Sequence, residues 1–390
     1  MKSSDKAHTQ ETFQTLKRLI VDERILRDPR PIFVLINPFG GTKSALTVWN
    51  ARCQPIFQLA GVPYEVQTTT AKGSATTSAR TIDYTKYRAM VTVSGDGLFH
   101  EVVEGLFDRP DWQEVATKLP LGYIGAGTSN GMSSNIGAHS PEIQSLNIIQ
   151  NSIRSLDIIS YTQNNKTRYS HLELLFGLLA DLDIESEQYR WMGILRNYVG
   201  AIVRLLYLRS TGCKLWLLSP DGDKRTSNIP PVPSSVLSDH SQHGPRVTIE
   251  ATTVWTEYID EDITNVSAVN YPFIACDFMA GPRAKLSDGL LDVNICHSRN
   301  KSAYLSALLE GESGKYLHQK EFISRKCSAI VLEPGERRRW KSNDGRRGIV
   351  DVSGEEVDLA PILIQVHQGL ARLCVPAWYD ESMIEQAWKN

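Results

Sequence analysis

An apolar run ending in a glycine-rich turn occurs three times before residue 132: PIFVLINPFGG at 31–41, YRAMVTVSGDG at 87–97 and LPLGYIGAGTSNG at 119–131. Continuous apolar runs of this length read as strands buried on both faces, the habit of parallel sheets. PYEVQTTT (63–70) reads as a further strand. Between the strands, residues 44–60, 73–83 and 98–107 space their apolar side chains as helices do, and the first of these stops at Gly61, a helix terminator. Strand and helix in strict alternation predict a parallel sheet covered by helices. Ligands of such sheets bind beyond the carboxyl ends of the strands, so the three glycine turns should share one rim.

Past about residue 155 the pattern changes. SLDIIS, TRYSHLELLFGLLA, CKLWLLSP, RVTIEATTVW, SAVNYPFIAC, GLLDVNICHS, CSAIVLEP, RGIVDVSG and APILIQVHQG read as strands with few helices between them. That predicts a mainly antiparallel β-sandwich. The chain's 390 residues suit two such domains. The expected division is an N-terminal extension at 1–29, an α/β domain at 30–155 and the β-sandwich at 156–380. The Pro/Ser/Asp-rich stretch 219–246 reads as a disordered surface insertion. One long helix is expected at 187–209, with Trp191, Ile194, Leu195, Tyr198, Val199, Ile202, Leu205 and Leu206 in an apolar stripe. That stripe suits either core packing or the wall of an alkyl-chain pocket.

A formal net charge of -2 gives no global field for nucleic acid, so anion binding must be local. The six cysteines are isolated, without metal spacing, and read as reduced residues of a cytosolic protein. No signal-peptide core or membrane-length apolar run is present. Oligomeric state leaves no signature.

The turns carry the chemistry. In NPFGGTKSA, Gly40 and Gly41 let a backbone approach a ligand and Lys43 adds a charge, which suits phosphate or a plain tight turn. In SGDGLFHE, Gly95 and Gly97 flank Asp96, a candidate general base, or simply a helix cap. Glu101 follows on the same helix. In IGAGTSNGM, Gly127, Thr128, Ser129 and Asn130 put several donors in one bend.

The ordered set NPxxG, SGDGxxHEVxxGL and Gly-Thr-x-Asn resembles the diacylglycerol-kinase-type catalytic domain, and within that superfamily the sphingosine kinases. DRPDW (108–112) and GLLADLDIESEQYRWMG (177–193) extend the resemblance. It implies an ATP- and Mg2+-dependent lipid kinase acting on sphingoid long-chain bases, cytoplasmic with transient attachment to membrane surfaces. By resemblance, Asp96 is the base and Asp183 contacts the sphingoid amine and hydroxyl. Trp191 and Leu195 wall the lipid site. Asn37, Thr70, Ser94, Gly95, Gly127, Thr128, Arg190 and Arg196 match nucleotide-binding positions. Gly354 and Glu355, with Glu101, belong to the nucleotide and metal site. Two departures stand out. Gly125 and Ser129 replace a proline and a glycine of the third turn. Ser353 stands where an aspartate is expected, and Asp351 or Glu356 is then the candidate replacement charge. The rival readings are a diacylglycerol or ceramide kinase, an NAD kinase, and a catalytically dead lipid-binding protein whose only support is Ser353.

Overall fold

The computed structural model describes residues 28–41, 43–186, 195–206, 208–220, 226–238, 241, 243–335 and 348–389. Residues 1–27 of the expected N-terminal extension lie outside them, as do Arg190 and Trp191.

Four parallel strands open the fold: β1 (Ile32–Ile36), β2 (Tyr64–Thr68), β3 (Ala89–Ser94) and β4 (Leu121–Gly125), in the order β2-β1-β3-β4. β1 and β3 are buried at every position, as their unbroken apolar runs require. Helices Ser74–Thr81, Asp96–Phe107 and Trp112–Lys118 cover the sheet on one face, where Leu35, Met90 and Tyr123 pack against Phe99, Val102 and Leu106. On the other face Val34, Val91 and Ile124 pack against Trp49 and Phe57 of the helical stretch 45–60. That stretch contains a π-helical turn at Trp49–Cys53 and ends with Gly61 at φ +69°.

The remaining strands are β5 (Ile153–Gln163), β6 (Lys166–Ser170), β7 (Glu173–Gly177), β8 (Thr211–Leu218), β9 (Glu257–Ile263), β10 (Asn265–Val269), β11 (Phe273–Ala275) and β12 (Phe278–Met279). They continue with β13 (Leu291–Cys296), β14 (Phe322–Cys327), β15 (Ala329–Pro334), β16 (Val350–Val352), β17 (Glu355–Val357) and β18 (Ile362–Cys374). One six-stranded sheet runs β14-β13-β10-β7-β16-β17. It packs face to face on a second antiparallel set, β5, β8, β15 and β18, through Leu174, Phe176, Val266, Val293 and Val350 against Ile159, Leu215, Ile330 and Ile364. The α/β-plus-sandwich reading is therefore correct.

The sheet does not stop near residue 155. β18 pairs in parallel with β4 through Leu373 and Leu121, and antiparallel with β5 and β15. The C-terminal strand thus ties both halves into one continuous sheet.

Three sequence expectations are adjusted. TRYSHLELLFGLLA is two strands and then a helix, Leu178–Ser186, so ADLDIES is helical and not a turn. RVTIEATTVW forms no strand. The described part of 219–246 packs: Val232 and Val236 are buried with Trp216, Ile249 and Trp255, and Trp216 Nε1 donates to the Pro230 carbonyl at 2.8 Å.

Candidate active site

The three glycine turns meet. A Cβ built at Gly127 would overlap the Gly95 Cα and lie 2.8 Å from Gly95 N, and one at Gly41 would lie 3.0 Å from Gly127 Cα and Thr128 N. At Gly40 it would lie 2.7 Å from Ser94 Oγ. Only glycine permits backbones to approach this closely, which is why glycines recur at the ends of β1, β3 and β4. Gly97 is different: a Cβ there meets open space.

Asp96 is the first residue of its helix and does not cap it. Its Oδ2 accepts from Gly131 N at 2.9 Å and its Oδ1 from Met132 N at 3.1 Å. The carboxylate therefore closes the N-terminus of another helix, Gly131–Asn135, where two backbone donors fix its orientation. Burial pushes the Asp96 carboxyl above the usual carboxylate range, while the two amides and the Tyr123 hydroxyl pull it down. Asn130 shapes the turn, accepting from Gly127 N at 2.8 Å and donating to Gly127 O at 2.9 Å, at φ +47°. The β11–β12 hairpin seals this helix from the sandwich side. Asn135 exchanges two 2.8 Å bonds with the Phe273 backbone, and Cys276 N donates to Ser129 O at 2.6 Å. Cys276 is the exposed one of the six cysteines; the other five are buried.

Glu101 Oε2 accepts from Gly73 N at 3.1 Å and Ala75 N at 3.2 Å, capping the helix Ser74–Thr81. This fixes the loop that carries Thr70, which is exposed, and Lys72. Lys72 Nζ in turn reaches Glu355 Oε1 at 3.0 Å, bridging the α/β half and the β16–β17 turn. Asn37 Oδ1 accepts from Phe39 N at 2.9 Å, forming the first turn, and Lys43 is exposed at φ +57°.

Asp183 lies on the helix Leu178–Ser186, whose Leu178, Leu179 and Leu182 line an apolar pocket with Leu205, Phe278, Leu308 and Leu317. The pocket holds about 540 Å³ of empty space, part of it open to solvent. Its polar side chains include Asn265, Ser267 and Asn294. Asp183 Oδ2 comes 3.6 Å from the place of a Cβ on Gly354, so it abuts the β16–β17 turn.

The diacylglycerol kinase catalytic domain family matches residues 31–161. Sphingosine kinase 1 of Arabidopsis thaliana is 34% identical over 373 residues, covering 89% of this chain and 76% of that protein. The chain belongs to the sphingosine kinase family. Sphingoid long chain base kinase 4 of Schizosaccharomyces pombe is 30% identical over 361 residues, covering 90% and 76%. Sphingosine kinase 1 of Homo sapiens is 28% identical over 377 residues, covering 91% and 95%. The fold also superposes on a putative diacylglycerol kinase from Bacillus anthracis str. Sterne with a TM-score of 0.62 at 15% identity, covering 90% of this chain and 99% of the other.

Against the family pattern, both departures acquire a physical setting. Gly125 has the N–H that a proline lacks, and it donates to Gln144 Oε1 at 2.8 Å. Gln144 Nε2 also holds Ser133 Oγ at 2.7 Å, and that oxygen fills the space a Gly125 Cβ would need. Ser353 sits at φ +52° beside Gly354 at φ +82°, the two-residue turn between β16 and β17. Its Oγ bonds Ser170 Oγ and accepts from Leu172 N at 3.3 Å, and Ser170 Oγ bonds His100 Nδ1 at 3.0 Å. Ser353 thus turns inward, into a buried neutral chain. Of the candidate replacement charges, Glu356 is exposed and Asp351 is buried with Oδ1 accepting from Gly354 N at 2.9 Å.

Arg196 and Leu195 open the helix Leu195–Leu206, and the earlier part of the expected 187–209 helix lies outside the described residues. Ile202 and Leu206 of its stripe face solvent, while Leu205 reaches the pocket. Sequence reasoning overlooked Glu173, Lys72, Ser170 and Tyr123. Glu173 had a visible signal, a carboxyl in an otherwise apolar strand, ELLFG.

Proposed function

We propose that the chain is an ATP-dependent lipid kinase that transfers the γ-phosphoryl group of ATP to the primary hydroxyl of a sphingoid long-chain base. The observation that carries this is Asp96: an oriented carboxylate standing where the glycine rim meets the sandwich half that bears Asp183 and an apolar pocket. Nucleotide phosphates lie on the rim, where Gly40, Gly41, Gly95 and Gly127 leave backbone exposed and the helices beginning at Ala45 and Asp96 have no side-chain cap. Ser94, Thr70, Thr128 and Lys43 surround them, and by the family resemblance Arg190 and Arg196 contact the phosphates as well. The lipid hydroxyl oxygen attacks the γ-phosphorus, its proton passes to Asp96, and the bond to the bridging oxygen breaks to release ADP. Positioning and charge stabilisation supply most of the acceleration. Asp183 pairs with the ammonium of the base, which a glycerolipid lacks, and the alkyl chain occupies the apolar pocket.

Mg2+ takes one or two carboxylates plus substrate phosphates and keeps several waters. Glu355 fits that demand, being half exposed and ion-paired with a solvent-facing Lys72. Glu101 has one oxygen committed to two amides, which makes it first a positioning residue. No group of three His, Cys, Asp or Glu side chains is arranged to hold a metal among the described residues. Bound there, the ion neutralises developing phosphate charge.

No described helix is long and apolar enough to cross a membrane. Exposed Ile202, Leu206, Leu305 and Leu309 flank the pocket residues Leu205 and Leu308, and support transient docking on a lipid surface at the pocket mouth. The test is label transfer from ATP to sphingosine, sphinganine, ceramide and diacylglycerol in separate mixed micelles, with Asp96→Asn alongside. Transfer to the sphingoid bases alone, lost in the variant, is the expected result. Transfer to diacylglycerol instead would remove the amine from the argument.

A further inference from the structure

The pocket assigned to the alkyl chain has a polar floor. β10 alternates: Val266 and Ala268 enter the sandwich core, so Asn265 and Ser267 stand on its other face, where both line the pocket. Asn265 is 5% and Ser267 2% exposed. A saturated chain offers nothing to an amide or a hydroxyl, and apolar residues ordinarily fill positions this buried.

Their polar neighbours are already answered. Asn294 lies opposite Ser267 on β13, donates through Nδ2 to Ala280 O at 2.6 Å and accepts at Oδ1 from Ser324 Oγ. Asn265 Oδ1 accepts from Leu179 N at 3.0 Å, holding the start of the helix Leu178–Ser186, and its amide nitrogen is left over. Among the described residues, neither that nitrogen nor the Ser267 hydroxyl has a hydrogen-bond partner, and neither is sealed in protein, because both residues border the cavity. The two side chains are next neighbours on one strand face, and both can donate. What they call for is an oxygen on the molecule that fills the pocket.

The headgroup does not supply that oxygen. Asp183 abuts the β16–β17 turn at Gly354. Ser267 lies opposite Leu175, and Leu175 opposite Asp351 of β16, which puts Ser267 two strands, roughly 10 Å, from β16. Leu175 fills the interval, buried against Ala180 and Ile349. The hydroxyls of a common sphingoid base sit close to its amine carbon and stay on the Asp183 side of Leu175.

We propose that Asn265 and Ser267 form an oxygen-reading subsite within the chain pocket, so that long-chain amino alcohols carrying a hydroxyl or keto group in mid-chain are better substrates than the plain base of equal length. The proposal rests on the sphingoid base kinase reading and on the chain entering this pocket. A mid-chain oxygen accepts from the two donors and fits the otherwise apolar walls. A plain chain strips water from both donors and returns no bond. A site with a hydrogen bond to give rejects the analogue that cannot take it, by roughly tenfold for one unanswered buried group.

The experiment measures kcat/KM of the full chain for sphinganine and for sphinganines of the same length with one hydroxyl or one keto group placed in turn along the chain, at equal surface concentration in mixed micelles. Ser267→Ala and Ser267→Thr are assayed beside the wild type. The wild type should favour a mid-chain position over the plain base by about tenfold. Ser267→Ala should bring that ratio towards one, and Ser267→Thr, which keeps the hydroxyl, should hold it. A merely structural role would lower every base together and leave the ratio unchanged, overturning the proposal. A wild type that uses the plain base as well as every oxygenated one, or gains only from oxygens beside the headgroup, overturns it too, even if both variants fail to fold, and leaves the kinase reading intact. No phosphorylation of any base would bring down both.

Discussion

Gly127→Ala and Gly97→Ala separate two uses of glycine in one site. Neither residue has a positive φ, so any cost of the new methyl comes from what it meets. At Gly127 it meets the Gly95 backbone, which no rotamer change can move aside. The second and third turns must part, at a cost of about 1–3 kcal/mol for overpacking, with the upper end expected because the opposing atoms are main chain. At Gly97 it meets nothing, and the position lies in the first turn of the helix Asp96–Phe107. Alanine there should stabilise by up to about 1 kcal/mol through helix propensity. In the proposed reaction the same open space is where the nucleotide approaches Asp96. Urea denaturation and ATP kinetics should therefore diverge: Gly127→Ala loses stability and activity together, while Gly97→Ala keeps or gains stability and loses kcat/KM for ATP. A Gly97→Ala enzyme with unaltered ATP kinetics would show that the space beside Asp96 is not used by the nucleotide. A Gly127→Ala chain of wild-type stability would show that the two turns are not held in contact.

Asp96→Asn should cut kcat by roughly 10²–10⁴, the usual contribution of a general base, and an amide that accepts through one oxygen alone should cost about 1 kcal/mol at the helix Gly131–Asn135, read by urea denaturation. Glu101→Ala leaves the Gly73 and Ala75 amides without their acceptor, which should cost about 1–3 kcal/mol and raise KM for ATP through the Thr70 loop. Lys72→Met should change stability by less than about 1 kcal/mol, because Lys72 is 78% exposed and its ion pair is solvated. Burial holds the His100 imidazole at about 4, below the ordinary 6.5, so its neutral form favours the fold above pH 6.5 and that contribution is lost as pH falls towards 4. The stability difference between wild type and His100→Gln should shift against the wild type by roughly 3 kcal/mol across that window, because buried carboxyls with raised pKa, such as Asp157 at about 6, act in the opposite direction in both chains.

The first half of the fold was legible because its signals are local. An apolar run buried on both faces has no second interpretation at that length, and β1, β3 and β4 each end in the glycines that mark the rim. The sandwich was legible only as a class. Nothing in ILIQVHQGLARLC says that it will pair with β4 as well as with β5 and β15, because that pairing is decided by strands far away in sequence. The same limit applies to the site. The sequence offers Asp96 as a base or as the cap of its own helix, but the helix it caps is another one: the partner amides are 35 and 36 residues downstream. RVTIEATTVW misled because β-propensity reports a half-buried surface, and here Ile249 and Trp255 pack without joining a ladder.

Ser353 shows why a motif residue must be judged by where its side chain points. Its absence of charge was the one sequence argument for an inert protein. In the turn between β16 and β17 its hydroxyl faces Ser170 and the Leu172 amide, with His100 one bond further on. A carboxylate at that position would enter a buried chain of neutral groups beside Glu173 and Asp351, whose carboxyls burial and the nearby Asp183 already push above the ordinary range. Glu355 still faces the α/β half through Lys72. Ser353→Asp should consequently destabilise the fold and weaken lipid use, not improve nucleotide binding. A Ser353→Asp chain with lower KM for ATP and unchanged stability would refute that reasoning.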